Sequence, residues 1–141
     1  MKPYITMVTL GVTDLERSRK FYCEGLGWTA SSASQEAVVF IQAGRVVLGL
    51  FSRESLAEDA DVSAEGSGFR GITLAHNVGS REEVDAVFDD VRRARATIVK
   101  EPQEVFWGGY SGYFADPDGH LWEVAHNPFW PLGDDGSVTL P

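Results

Sequence analysis

The sequence predicts an α+β fold of two βαβββ modules, a pseudo-twofold repeat that forms a concave cleft. Three observations carry that expectation. A strand rich in β-branched residues runs into a capping box twice, at Thr13-Asp14-Leu15-Glu16 and at Ser80-Arg81-Glu82-Glu83. A glycine turn precedes the last strand of each half, at Ala43-Gly44 and at Asp116-Pro117-Asp118-Gly119. The two halves also match position by position, Val12 with Val78 and Gly44 with Gly119, the self-similarity that marks a repeat. A sheet with one face under its helix leaves the other face bare, and two such faces can enclose a place for a small molecule.

Residues 4–12 (YITMVTLGV) are β-branched, partly alternating and without helical period, so they read as a strand. In the capping box that follows, a side-chain oxygen accepts from a free N–H of the first turn and the Glu answers back. The helix after it turns Leu15, Phe21 and Tyr22 inward and ends near Gly25. Gly27–Ser32, Glu36–Ala43 and Arg45–Ser52 read as strands, the last two joined by the tight Ala43-Gly44 turn. These elements make module one, residues 4–52. Residues 53–69 are acidic and small and read as a linker, with one helical turn at Glu54–Glu58.

Module two, residues 70–126, opens with a strand over Gly71–Val78. Val84, Val87, Phe88 and Val91 then stand at i, i+3, i+4 and i+7, the spacing of one buried helix face. Residues 96–100 read as a strand, 101–109 as a loop and Tyr110–Ala115 as a strand. In the turn at 116–119, proline fixes φ at the second position and glycine accepts positive φ. His120–His126 is the last strand. The tail, 127–141, reads as irregular, with Phe129, Trp130, Pro131 and Leu132 as a hydrophobic hook for the body or for a second subunit.

Length and charge bound the function. A chain of 141 residues makes one domain or two very small fused modules. Twelve Lys and Arg against 21 Asp and Glu give a net charge of −9. An acidic surface repels phosphates, which argues against nucleic acid and against an anionic membrane as partners. No apolar run approaches the ~20 residues of a membrane span. The N-terminal stretch lacks a long apolar segment, so a cytoplasmic location is expected. Cys23 is the lone cysteine, which leaves no internal disulfide and no cysteine-rich zinc site.

Val8-Thr9-Leu10-Gly11-Val12-Thr13-Asp14-Leu15-Glu16-Arg17-Ser18, Phe21-Tyr22 and Leu26-Gly27-Trp28 resemble the first module of the vicinal oxygen chelate superfamily. This group includes glyoxalase I, bleomycin-resistance proteins and extradiol dioxygenases. Tyr113-Phe114-Ala115-Asp116-Pro117-Asp118-Gly119-His120-Leu121-Trp122-Glu123-Val124 resembles the end of its second module still more closely. The resemblance implies paired βαβββ modules and a homodimer. In the enzymes it also implies a divalent metal, held by His or Gln, Glu, His and Glu from the first and last strands of each module. Counting back five residues from Val12 and from Val78 places Met7 and Thr73 at two of those positions, and aligning Gly44 with Gly119 sets Leu48 opposite Glu123. Only Glu123 carries a ligand side chain suited to a hard cation.

Glu123 lies between Trp122 and Val124, so it faces the other way, toward the cleft. There it acts either as a base or as a carboxylate that orients a guest. Phe106-Trp107-Gly108-Gly109-Tyr110 supplies flat apolar rings beside two glycines, suited to stacking or cation–π recognition, or else to plugging its own cleft. Tyr113 shares a face with Ser111 and Ala115 and is placed to hydrogen-bond into the cleft, while Tyr110 lies on the other face. His76 stands opposite Thr73, His120 follows the turn, and His126 ends the last strand; no two histidines have metal-ligand spacing.

The leading expectation is a glyoxalase/bleomycin-resistance-like protein that binds a small organic molecule in an aromatic cleft. It is metal-independent, with no cofactor; a divalent metal enters only if the ligand register is misread. Met7, Leu48, Thr73, Phe106, Trp107, Tyr113 and Glu123 form the expected ligand-binding set, with Glu123 as the candidate catalytic residue. The alternative is a metal-dependent lyase, isomerase or dioxygenase that uses Glu123, with His76 or His126 recruited by a register shift. A third reading is a dimeric interaction module without a small-molecule ligand.

Overall fold

The structure, a computed structural model, describes Met1 and residues 5–138. Tyr4 of the first expected strand and residues 139–141 of the tail lie outside the described residues. The chain divides into two compact units, Met1–Arg70 and Gly71–Pro141. Both are α+β, and among the described residues no helix is long and apolar enough to cross a membrane.

The first unit contains β1 (Met7–Val12), α1 (Leu15–Arg19), a π-helical turn (Lys20–Gly25), β2 (Val38–Ala43), β3 (Val46–Ser52) and α2 (Arg53–Asp59). β3 is central, parallel to β1 and antiparallel to β2. Laterally paired residues share a face of a sheet. Pairing of Val8 and Ile41 with Leu48, and of Leu10 and Val39 with Leu50, therefore gathers these side chains on one face. Leu10, Val12, Val39, Ile41, Leu48 and Leu50 are all buried there. α1 packs on β2 and β3, and Ser18, Phe21 and Tyr22 beside it are buried. The opposite face carries Met7, Thr9 and Gly11 of β1 beside Val47, Gly49 and Phe51 of β3. α2 closes the Gly11 end of that face: a Cβ on Gly11 would lie 3.2 Å from the Arg53 Cα.

Three details differ from the sequence reading. The α1 cap is Asp14, whose Oδ1 accepts from the Arg17 N–H at 2.9 Å, while the Thr13 hydroxyl accepts from the Arg17 guanidinium. The expected strand at Gly27–Ser32 is reduced to a single bridge, Ala30 to Ile41, so the sheet has three strands. Ser34 explains the loss: its hydroxyl accepts from the Phe40 N–H at 2.9 Å, taking a group that a fourth strand would need. The helical turn expected at Glu54–Glu58 is the longer α2, capped by Ser52, whose hydroxyl accepts from the Ser55 N–H.

The second unit contains β4 (Leu74–Asn77), α3 (Arg81–Arg93), β5 (Thr97–Glu104), β6 (Tyr110–Ala115) and β7 (Leu121–His126) in the order β4-β7-β6-β5. Ser80 caps α3 by accepting from the Glu83 N–H, and Glu83 accepts from the Gly79 N–H at 2.8 Å. Val84, Phe88 and Val91 are buried against the sheet. A Cβ on Gly112 would meet the Phe88 ring at 2.6 Å, which identifies the face of Gly112, Phe114, Trp122 and Val124 as the one α3 covers. Phe114 and Trp122 stack across the strands there, with centroids 6.3 Å apart.

Residues 101–104, expected in a loop, extend β5. Pro102 is tolerated because β5 is an edge strand and its pairing to β6 is broken by irregularities on either side of Lys100. The 116–119 turn forms as read. Buried Asp116 accepts from the N–H groups of Asp118 and His120 at 2.9 Å each, and Gly119 takes φ of +83°.

Candidate functional site

Alternation along β6 and β7 puts Ser111, Tyr113 and Ala115, with Leu121, Glu123 and Ala125, on the face away from α3. Across that face Glu123 pairs laterally with Ala75 of β4 and Tyr113 of β6, and Tyr113 pairs with Lys100 of β5. Tyr113 and Glu123 are both half-buried, and the phenol donates a hydrogen bond to the carboxylate. Burial, the negative charge of Glu123 and this bond, in that order, raise the Tyr113 pKa. The phenol stays protonated at neutral pH and can act as a donor toward the carboxylate.

Trp107 lies at the end of the same face. A Cβ on Gly109 would overlap the Trp107 indole, with its nearest atom at 1.8 Å. Gly109 precedes Tyr110, a helix-face residue, so its missing side chain would point with Ser111 and Tyr113. The indole occupies that space, and only glycine at 109 allows it. Gly108, at φ +91°, makes the bend and packs near the Phe129 ring of the tail. Phe106 is fully exposed at the loop tip.

The structure therefore brings Glu123, Tyr113 and Trp107 to one face. Thr73 directly precedes β4 and is exposed, and Ala75 takes the place beside Glu123. Met7 is 44% exposed on the open face of the first sheet. Leu48 is not brought to an open face: it is 3% exposed in the core under α1, and Gly49 stands opposite Thr9. Strand phase accounts for this. Val46 leads β3 on the parity of buried Leu48 and Leu50, whereas β7 buries Trp122 and Val124, the parity opposite to Leu121 and Glu123. The signal lay in the sequence, in the apolar alternation of Leu48 and Leu50 against that of Trp122 and Val124.

The remaining candidates lie on the α3 face. Tyr110 donates to Asp85 of α3 at 2.9 Å, under the Arg81 guanidinium at 5.8 Å from the ring centroid. His126 pairs with Tyr110, and its Nδ1 lies 3.3 Å from the Val78 carbonyl oxygen. His76 pairs with Val124. Part of its surface is open to solvent, and the atoms that cover the rest lower its pKa.

The donor set does not fit the divalent metal that the family's enzymes hold. A thioether at Met7, the hydrocarbon of Leu48 or the bare Gly49, and Thr73 or Ala75 stand where ligands are required, leaving one carboxylate. Among the described residues no three His, Cys, Asp or Glu side chains cluster to hold an ion.

Residues 4–124 match the family model of the glyoxalase/bleomycin resistance protein/dioxygenase superfamily, and the chain belongs to that superfamily. A glyoxalase-related enzyme from Fulvimarina pelagi is 38% identical, with 98% of each chain covered and a TM-score of 0.88. A glyoxalase/bleomycin resistance protein/dioxygenase from Nocardioides is 27% identical over 94% of this chain and 91% of its own, with a TM-score of 0.75. A lactoylglutathione lyase from Agrobacterium tumefaciens, 22% identical over 94% of this chain and 100% of its own, shares the fold at a TM-score of 0.71. No curated protein matches the chain.

Proposed function

We propose that this protein binds a small organic molecule without a metal, at the half-buried Tyr113 and Glu123 on the face of its second unit away from α3. The observation that supports this reading is the Tyr113–Glu123 pair on the same face as the Trp107 indole. A carboxylate recognises a hydrogen-bond donor or a cation, and an indole offers a flat apolar surface and a cation–π partner. A planar cationic guest satisfies both, and the net charge of −9 favours its approach. Glu123 and Tyr113 orient the guest, and Trp107 stacks on it. The working unit is a homodimer, as the family resemblance implies. The metal-dependent enzyme reading needs His76 or His126 beside Glu123, and both lie on the α3 face.

Tryptophan fluorescence tests this reading, with acridine orange as a planar cation and anilinonaphthalene sulfonate as an anion. The cation is expected to quench saturably and the anion not to compete. Glu123→Gln should weaken the cation at least about tenfold, the scale of one charge-assisted hydrogen bond. Trp107→Phe should remove most of the signal. Equal affinity of the wild type and Glu123→Gln for the cation would remove this face from the function.

A further inference from the structure

The loop after α2 is held by two arginines. Arg53, the first residue of α2, donates from Nε to the Ala64 carbonyl at 2.8 Å and from Nη2 to the same oxygen at 2.5 Å. The same Nη2 lies 3.4 Å from the Gly66 carbonyl oxygen. Arg70 folds back four residues and donates from its own Nη2 to that Gly66 oxygen at 2.6 Å. Positive φ at Gly66 (+125°) and Gly68 (+84°) makes the fold-back, and a Cβ on Gly66 would lie 3.9 Å from Arg70 Nη1.

Two full positive charges thus converge on one neutral carbonyl oxygen. In a chain with 21 acidic residues, neither guanidinium has a carboxylate within ion-pair distance among the described residues. Glu65 lies between the two clasped carbonyls in sequence but pairs with neither arginine, and its own N–H donates to Ser63. Side by side, the guanidiniums repel each other, and the carbonyl returns only a dipole. An oxyanion would offset that repulsion. Nη1 of both arginines and Nε of Arg70 make no hydrogen bond with the described residues, so a fork of donors is left to receive one.

We propose that Arg53 and Arg70 form a binding site for a small oxyanion, a phosphate group or a carboxylate. This site lies wholly within the first unit and is independent of the guest face on the second. Guanidiniums suit it better than ammoniums, because their planar donors engage two oxygens at once.

The test is a nuclear magnetic resonance titration of the full chain at constant ionic strength with inorganic phosphate, acetate and chloride, following the Arg53 and Arg70 Nε–H signals and the Gly66 amide. Saturable shifts with phosphate or acetate, and none with chloride, are the expected result. The stronger of the two identifies the class of anion. Arg70→Ala, which removes no core contact, should weaken binding at least about tenfold, the scale of one charge-assisted hydrogen bond. Arg53→Lys keeps the charge, loses the fork and should also weaken it. Arg45→Ala, in the β2–β3 turn, should change nothing. Shifts that grow linearly, that chloride reproduces, or that survive Arg70→Ala unchanged would overturn the proposal.

Discussion

The two units start from one sequence pattern and arrive at different balances of core and site. The second unit has a 13-residue α-helix on a four-stranded sheet. The first has a five-residue α-helix that passes into a π-helical turn, on three strands. Their last strands differ in phase: the second residue beyond the first paired position after the turn is Leu48 in one and Glu123 in the other. Leu48 faces the core and Glu123 faces away from it. The same count from the same landmark therefore gives a packing residue in one unit and a recognition residue in the other. The apolar alternation of each strand, rather than a count from the turn, decides which face a position occupies.

Exchanging the characters of those two positions should break the comparison most severely. Leu48→Glu puts a charge with no partner into the first core and should cost at least about 4 kcal/mol. Glu123→Leu should shift stability by less than about 1 kcal/mol, because the position is half-buried on the face away from α3. Urea denaturation of both variants checks this. Similar losses would mean that Leu48 and Glu123 occupy equivalent environments.

Gly112 is next in size. Its missing side chain leaves room for the Phe88 ring and for the β5 backbone, since a Cβ would stand 2.8 Å from the Lys100 oxygen and from the Pro102 nitrogen. Gly112→Val should cost about 3 kcal/mol by overpacking. At Gly49 in the first unit the nearest atoms to a Cβ would belong to Thr9, the hydroxyl at 3.2 Å and the Cα at 3.7 Å, so Gly49→Ala should cost about 1 kcal/mol or less. Thermal melts of the pair measure the difference.

Smaller effects come from titration in the second unit. Tyr113 and Tyr110 have raised pKa values, by burial first and then by Glu123 and Asp85 respectively. The folded state then holds phenolic protons that the unfolded chain has released. Their contribution is full below the ordinary phenol pKa near 10 and is lost as pH rises through the folded values. His76, lowered by burial, acts at the other end: its contribution is present above about pH 6.5 and is lost as pH falls through its folded value. Glu123→Gln should move the Tyr113 absorbance titration to lower pH but leave it above a free phenol, because burial remains the larger cause. An unchanged titration would separate the two side chains.

Much of this was legible in the sequence. The buried stripe of Val84, Phe88 and Val91, the cap at Ser80 and the turn at Asp116 all have local causes, and they sit where their periodicity and turn chemistry put them. Tyr113 and Glu123 could be assigned to one face because β6 and β7 are regular. What stayed hidden depends on contacts distant in sequence. The Ser34 hydroxyl displaces a fourth strand by bonding to Phe40, and the edge position of β5 admits Pro102. The Trp107 indole over Gly109 is a local packing event with no periodicity to announce it.

Calorimetry tests the central claim most directly: acridine orange titrated into the wild type and Glu123→Gln, each with chelator and with added zinc. The account predicts wild-type binding that neither chelator nor zinc changes, and an affinity at least about tenfold lower in Glu123→Gln. Binding that chelator abolishes, or equal affinity in the two proteins, would contradict it.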